Sequence, residues 1–356
     1  MMKQILGILL ALGLTACSGV SQKGQTQAEQ EGIAGVSDSL LEDMPDSLED
    51  SYAANPEVQV YIKRMVTEHG FDKAMLETAF SRIEQRPKVI EKSDNQPEQI
   101  TPFYEYRKRF VSSDRIKGGL AFAKEQAVWL EKAQQEFGID PSVIVALIGV
   151  ETYYGRITGS RDVFTSLTTL AFDYPRRKSY FQSELTSYLL LARDKGWPIG
   201  ATKGSYSGAM GMTQFMPSNY RTLAVDYDGN GDIDLWGSPA DAIGSIANYL
   251  THHGWQVNKP AFTTAQVIEP ERVEGLVNKG RAPTGSFAYW AELNVLPSAP
   301  FIDDRVGLLA LRTAEEEVSY WLAYENFFTV MDYNPSRRYA MSVFQLAESI
   351  KNNDEG

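Results

Sequence analysis

Cysteine and histidine are almost missing from this sequence: its 356 residues include one Cys and three His. A lone thiol forms no intramolecular disulfide and makes no Cys-x-x-Cys pair, so thiol redox and cysteine-ligated zinc chemistry are excluded. His-Glu-x-x-His and Gly-x-Ser-x-Gly are absent too, which leaves zinc-protease and α/β-hydrolase chemistry without support. His252 and His253, just before Gly254, read as a helix end and not as a metal pair. Positive charge is short as well. Lys and Arg number 34 against 46 Asp and Glu, a net charge of −12. That balance argues against sequence-independent nucleic-acid binding and against adhesion to anionic lipid through a basic surface. No apolar run approaches the roughly 20 residues that a membrane-spanning helix needs.

The apolar stretch near the start, residues 5–14, follows a single Lys3 and leads straight into Leu14-Thr15-Ala16-Cys17. These are the proportions of a secretory signal, and the last four residues resemble a lipobox, the bacterial signal for cleavage before a cysteine that is then acylated. The expectation is a signal peptide over residues 1–16 and a lipidated Cys17 that anchors the chain to a membrane. Ser18 stands where an Asp would signal inner-membrane retention, which points to the outer membrane, facing the periplasm. Loss of residues 1–16 removes only Lys3 among the charges and takes the net charge from −12 to −13. Residues 17–50, rich in Ser, Gln, Gly, Glu and Asp, read as a flexible tether.

Beyond the tether the pattern is mainly α, with a strand-rich interruption that makes the class α+β. Val58, Tyr61, Ile62, Met65, Met75, Leu76, Ala79 and Phe80 recur at helical spacing around a break at His69-Gly70, which predicts a helical hairpin. The spacing also predicts one long helix over residues 116–137 ended by Gly138, and shorter ones over 165–170, 180–193 and 241–249. From residue 260 the pattern shortens. Segments 268–273, 291–296 and 305–311 are turn-bounded and partly alternating, so a small strand-rich insertion is expected over 260–317. Helix is expected again over 318–352, beginning with Trp321-Leu-Ala-Tyr324.

One carboxylate stands out within this frame. Asp140 suits a helix N-cap, Pro141 the first helical position, and Gly155 a left-handed C-terminal turn. Counting back from Glu151 by three, four and seven reaches Ile148, Leu147 and Ile144, so Glu151 shares the buried stripe. Desolvation and the negative end of the helix dipole both favour its protonated form, which a general acid needs. The ordinary alternative is a surface Glu paired with Arg156 or Arg161.

Three further patterns carry chemistry. Ser205-Tyr-Ser-Gly208-Ala-Met-Gly211-Met-Thr-Gln214-Phe215-Met-Pro217 has glycines that permit close backbone approach and a Gln with both donors and an acceptor. It is not a P-loop, and a tight packing site is its alternative reading. Asp226-Tyr-Asp228-Gly-Asn230-Gly231-Asp232-Ile-Asp234 places oxygens at positions 1, 3 and 5, Gly at 6 and a backbone carbonyl at 7, as an EF-hand-like calcium loop does. Position 12 is Gly237 where a bidentate Glu belongs, so Asp241 is expected to substitute. Tyr106, Tyr153, Tyr154, Tyr174, Tyr249, Tyr333 and Tyr339 lie outside the helical stripes and suit the apolar faces of sugars.

Together, Gly149-Val-Glu151-Thr-Tyr-Tyr-Gly155, the 208–217 segment, the acidic loop running into Asp241-Ala-Ile-Gly-Ser-Ile-Ala-Asn-Tyr249, and Tyr333-Asn-Pro-Ser-Arg-Arg-Tyr339 closely resemble the membrane-bound lytic murein transglycosylase B family. The resemblance covers about residues 55–350. It implies a helical domain (51–138), a lysozyme-like catalytic core with the EF-hand-like loop (139–259), a β-rich insertion (260–317) and C-terminal helices completing the core (318–352). It further implies cleavage of the β-1,4 bond between N-acetylmuramic acid and N-acetylglucosamine in peptidoglycan without water, leaving 1,6-anhydro ends, with Glu151 as sole acid and base. Ser205, Gln214, Phe215, Tyr249, Tyr333 and Tyr339 match glycan-cleft positions of that family, with Tyr106 a further candidate. Arg176 and Arg177 match a pair that meets stem-peptide carboxylates. Asp226, Asp228, Asn230, Asp232 and Asp241 match its structural metal loop, for calcium or sodium, and no cofactor is implied for catalysis. The expected partners are glycan strands, stem peptides and, for a monomer, cell-wall synthesis or division complexes. Two rivals stand: a water-using muramidase of the same fold with Asp162 or Asp173 as second acid, and a non-catalytic peptidoglycan-binding scaffold lipoprotein.

Overall fold

The structure is a computed structural model that describes residues 51–83, 87–94, 101–299 and 305–354. The expected signal peptide, Cys17 and the 17–50 tether lie outside the described residues.

Capping chemistry sets the helix boundaries. Helix α1 (Pro56–His69) starts where the Asn55 side chain accepts the Glu57 N–H and stops at Gly70, whose φ of 70° is left-handed. Helix α2 (Lys73–Ser81) is capped by Asp72, completing the expected hairpin. Helices α3 (Pro87–Asp94) and α4 (Phe103–Tyr106) follow. The single helix expected over 116–137 is in fact two, α5 (Ser113–Glu125) and α6 (Ala127–Phe137), because Gln126 leaves the helical region at φ −106° and ψ 18°. Gly138 ends α6 as expected.

Helix α7 (Pro141–Thr152) carries Glu151 through the middle of the molecule. The Asp140 side chain caps it, and its residues from Val143 to Val150 are all buried. Burying a helix on every side requires neighbours all round it. A two-residue strand β1 (Arg161–Asp162) precedes α8 (Val163–Asp173) and α9 (Lys178–Lys195), and β1 pairs antiparallel with β2 (Lys203–Gly204). Helices α10 (Pro217–Leu223) and α11 (Pro239–His252) come next. Ile243, Ile246, Ala247 and Leu250 of α11 point inward, as their spacing predicted.

The insertion is a five-stranded antiparallel sheet made of β3 (Phe262–Val267), β4 (Gly285–Ser286), β5 (Val295–Pro297), β6 (Arg305–Arg312) and β7 (Val318–Ala323) in the order β4-β6-β7-β3-β5. Two short helices interrupt it, α12 (Pro270–Val273) and α13 (Phe287–Glu292). Three expectations are corrected here. Residues 268–273 are not a strand: Pro270 lacks a ladder donor and opens α12, while the true strand lies just before it. Residues 291–296 are the end of α13 followed by the start of β5. Most consequentially, residues 318–323 are strand and not helix, so the insertion runs to Ala323 and not to residue 317. Strand β7 is flanked by β6 and β3, and its last three residues, Trp321 to Ala323, are buried in succession, so that stretch lacks the period-two signature that sequence reading relies on.

Helices α14 (Glu325–Tyr333) and α15 (Arg337–Asp354) close the chain, with α15 packed against both α7 and α5. One large core runs from Tyr52 to Ile350, and a second cluster that includes Val273, Phe287, Trp290, Leu308 and Leu322 lies within the insertion. Among the described residues no helix is long and apolar enough to cross a membrane.

Candidate active site

Glu151 occupies the last turn of α7, half-buried. The helix does not end at Gly155 as expected. It ends at Thr152, and Tyr153, Tyr154 and Gly155 all take left-handed backbone conformations, φ 54°, 61° and 82°. Two consecutive non-glycine residues in that region are strained and must be held from outside. Tyr154 supplies the hold: its hydroxyl donates to the Arg115 carbonyl at 2.6 Å, and its ring lies where a side chain on Gly118, Gly119 or Gly149 would begin. Arg115 also donates to the Gly149 carbonyl and lies over the Tyr153 ring, 4.8 Å from its centroid. A cation therefore meets the negative end of α7, a contact that sequence reasoning missed. Arg156 lies over the Tyr153 ring, 5.1 Å from its centroid.

Tyr339, from the start of α15, donates its hydroxyl to Glu151 Oε1 at 2.5 Å. Burial first, and then the nearby negative charge of Glu151, hold the Tyr339 phenol well above its usual range, so it remains a donor. Tyr333 is raised in the same way, and its hydroxyl donates to the Thr213 carbonyl. Thr213 belongs to the glycine-rich segment, which the structure shows as a tight loop and not a helix-packing site. Met210 and Phe215 exchange backbone hydrogen bonds of 2.9 and 3.1 Å across it, and Gln214 sits at φ 50°. The Gln214 amide donates to the Thr158 and Gly211 carbonyls at 3.0 and 2.9 Å. Ser205 Oγ accepts the Ala209 N–H at 3.0 Å. The Thr152 hydroxyl accepts the Gly155 N–H and reaches the Met212 carbonyl, tying the turn after Glu151 to this loop.

Phe215, Tyr249 and Tyr333 form one aromatic cluster, with ring centroids 4.8–5.9 Å apart. Phe215 and Tyr249 are buried and support the loop from behind, so their faces are not laid open as expected for sugar-stacking residues. Tyr106 is corrected more firmly: it is fully buried against Phe110 and offers no surface to a ligand. Arg176 and Arg177 do come together, on the wall of a pocket of about 310 Å³ that Ser207 and Met216 of the loop also line.

Both proposed second acids have structural duties. Asp162 caps α8 by accepting the Thr165 N–H, and Asp173, at the other end of that helix, accepts the Tyr52 hydroxyl at 2.5 Å.

The acidic loop brings carboxylate oxygens of Asp226, Asp228 and Asp241 within 4.8 Å of one another. Asp241 is fully buried and accepts the Tyr227 and Asp234 N–H groups at 2.8 Å. Burial, with Asp228 adding to it, pushes its carboxyl above the ordinary range. Three converging carboxylates with an all-oxygen donor set fit a hard cation. The Asp232 side chain turns away to Lys195, so only its backbone carbonyl remains for the loop interior. Asn230 Oδ1 accepts the Asp232 N–H at 2.9 Å.

A half-buried carboxyl in the last turn of a buried helix, tied through Thr152 to a glycine-rich loop in a helical core, fits an enzyme that uses a carboxyl as general acid, as lysozyme-like enzymes do. Comparison with known proteins gives the same class in finer detail. The transglycosylase SLT domain family matches residues 53–348, and the chain belongs to that family. It is 37% identical over 308 residues, 84% of each chain, to membrane-bound lytic murein transglycosylase B of Escherichia coli strain K12. The soluble lytic transglycosylase SltB1 of Pseudomonas aeruginosa superposes with a TM-score of 0.78 at 36% identity, over 85% of this chain and 100% of that one. E. coli SLT35 in complex with calcium gives 0.77 at 35% identity, covering 88% and 99%. P. aeruginosa SltB3 in complex with NAG-anhNAM-pentapeptide gives 0.70 at 28% identity, covering 86% and 80%. The protein is thus an enzyme acting on peptidoglycan, a lytic transglycosylase.

Proposed function

We propose that the protein cleaves the β-1,4 bond between N-acetylmuramic acid and N-acetylglucosamine with Glu151 as its only acid and base, leaving 1,6-anhydromuramic ends. The observation that supports this reading is that Tyr339 holds Oε1 of Glu151, while Asp162 and Asp173, the two acids considered as its partners, are engaged at the two ends of α8. An ordinary glycosidase needs a second acid to activate water or to attack the sugar.

Protonated Glu151 gives its proton to the glycosidic oxygen as the bond from that oxygen to C1 breaks. The muramyl N-acetyl oxygen stabilises the cationic C1. The Glu151 carboxylate then removes the proton of the C6 hydroxyl, and O6 bonds to C1. Glu151 ends protonated again and no water is consumed. Gln214, Ser205 and Phe215 shape the loop that receives the glycan, Tyr249 and Tyr333 support it, and Arg176 and Arg177 meet stem-peptide carboxylates bidentately. Asp226, Asp228, Asn230, Asp241 and the Asp232 carbonyl would hold calcium, or sodium, whose chemistry there is charge neutralisation and cross-linking of the loop. Lipidation at Cys17 would anchor the enzyme to the outer membrane, in reach of glycan strands. If so, Cys17→Ser moves the protein from the membrane to the soluble fraction, and unchanged fractionation would remove the anchor.

Mass spectrometry of soluble products from purified sacculi tests the chemistry. Anhydromuramic ends are expected from the native protein, and none from Glu151→Gln, which should still bind sacculi. Reducing muramic ends would show that water is the acceptor and would overturn the single-carboxyl mechanism.

A further inference from the structure

We propose that Asp94 makes the pocket beside the glycan loop selective for a zwitterion, namely an amino-acid centre of the stem peptide that carries a free ammonium and a free carboxylate together. The inference rests on the reading of this protein as a cleaver of peptide-bearing glycan. The pocket holds about 310 Å³ and is lined by Asp94, Tyr174, Arg176 and Arg177 together with Ser207 and Met216 of the loop. Asp94 Oδ1 accepts from Arg176 Nη1 at 3.0 Å and from the Tyr174 hydroxyl at 2.9 Å. Arg177 lies over the Tyr180 ring, 4.1 Å from its centroid.

Two guanidiniums alone would accept any carboxylate. An aspartate lining the same pocket and bound to Arg176 changes the selection, because a ligand that is only an anion meets a like charge at Asp94. A ligand with an ammonium beside its carboxylate sets the ammonium on Asp94 and the carboxylate on the arginines, so each charge meets its opposite. The fold uses Asp94 as the acceptor of the Tyr174 hydroxyl, which an amide oxygen would serve equally, so it gives little reason for a charge at this position. Asp94 is the last residue of α3, where the helix dipole disfavours a negative charge. Its pair with Arg176 is exposed, with 75% of the Arg side chain and 41% of the Asp side chain accessible, and such pairs add little to stability. A ligand can therefore redistribute the pair without unfolding anything.

The test uses the full chain and two substrates: peptide-bearing glycan with the free side-chain amine of its stem peptide, and the same material after N-acetylation of that amine. Native protein is expected to show a kcat/KM about twofold to fivefold higher on the free amine, the upper part of the range an accessible charge pair supports. Asp94→Asn is expected to bring that ratio to about one while leaving the Tm and the cleavage of peptide-free glycan unchanged. Equal rates on the two substrates by native protein, or a ratio that Asp94→Asn leaves intact, would overturn the proposal. So would loss of cleavage of peptide-free glycan in Asp94→Asn, which would make Asp94 a residue of the fold. Failure of the transglycosylase reading itself shows elsewhere, as reducing ends from native protein on peptide-free strands.

Discussion

Tyr339→Phe is the perturbation that bears most directly on the chemistry. It deletes one oxygen atom that donates to Glu151 Oε1 at 2.5 Å and keeps the ring in a site that is 2% exposed. A hydrogen bond to a charged partner contributes about 1.5–3 kcal/mol. If it is made to the carboxylate during the reaction, its loss lowers kcat by roughly tenfold to a hundredfold, since each 1.4 kcal/mol is a factor of ten. KM should hold, because the hydroxyl acts on Glu151 and not on the sugar. The fold should survive with the Tm lowered by no more than about 2–4 °C, the shift expected for about 1 kcal/mol in a domain of a few hundred residues. Tyr333→Phe is the natural comparison. Its hydroxyl donates to the Thr213 carbonyl, so its removal loosens the glycine-rich loop and, if that loop receives the glycan as proposed, should raise KM more than it lowers kcat. The assay is the initial rate of anhydromuramic product release over a range of glycan concentrations. A Tyr339→Phe enzyme within twofold of native kcat would refute the argument that this hydroxyl holds the catalytic carboxyl.

Two further predictions concern stability. Calcium should raise the Tm, by an amount equivalent to roughly 2.7 kcal/mol when its concentration reaches a hundred times its Kd. Asp226→Asn should shrink that shift, and a native protein whose Tm ignores millimolar calcium would end the metal assignment. Glu184 is 4% exposed and accepts both the Ser218 N–H and its hydroxyl at the start of α10. Burial raises its carboxyl above the ordinary range, against the partial opposition of those hydrogen bonds and of Arg177. A raised folded-state value means that the stability tied to the protonated form is full below the unfolded value and is lost as pH rises through the folded one. Glu184→Gln should therefore gain Tm relative to native protein at pH 7 and gain less at pH 4. Equal differences at the two pH values would show that the buried carboxyl carries no such penalty.

Sequence pattern reached what is local and stopped at what is not. Asp140, Pro141 and the apolar run to Val150 announced α7, because a cap, a first-turn proline and a buried stripe are all written within twelve residues. The acidic loop was legible for the same reason, and Asp241 does lie with Asp226 and Asp228. Nothing within any short window could place Tyr339 on Glu151, 188 residues away; family resemblance alone named it as a cleft residue. The turn after Glu151 was misjudged because its anchor is also distant: Tyr154 reaches Arg115, and the only written trace is three glycines, 118, 119 and 149, that give its ring room. Strand β7 was taken for helix because Trp321, Leu322 and Ala323 are buried in succession, which removes the period-two signal at its end.

The acidic loop and the glycine-rich loop were read as separate motifs, one for an ion and one for sugar, but a backbone hydrogen bond joins them. Met212 N–H donates to the Leu235 carbonyl at 2.7 Å, and a side chain on Gly211 would stand 2.6 Å from that same oxygen. Leu235 follows directly on Asp234, whose N–H is held by Asp241. Three links therefore lead from the buried carboxylate of the ion loop to the peptide that precedes Thr213 and Gln214. Thr152 extends the path by binding the Met212 carbonyl one residue after Glu151. On the proposed reading, a loop of strained backbone holds a sugar in register with Glu151 only if something rigid stands behind it, and a cation held by Asp226, Asp228 and Asp241 would supply that support.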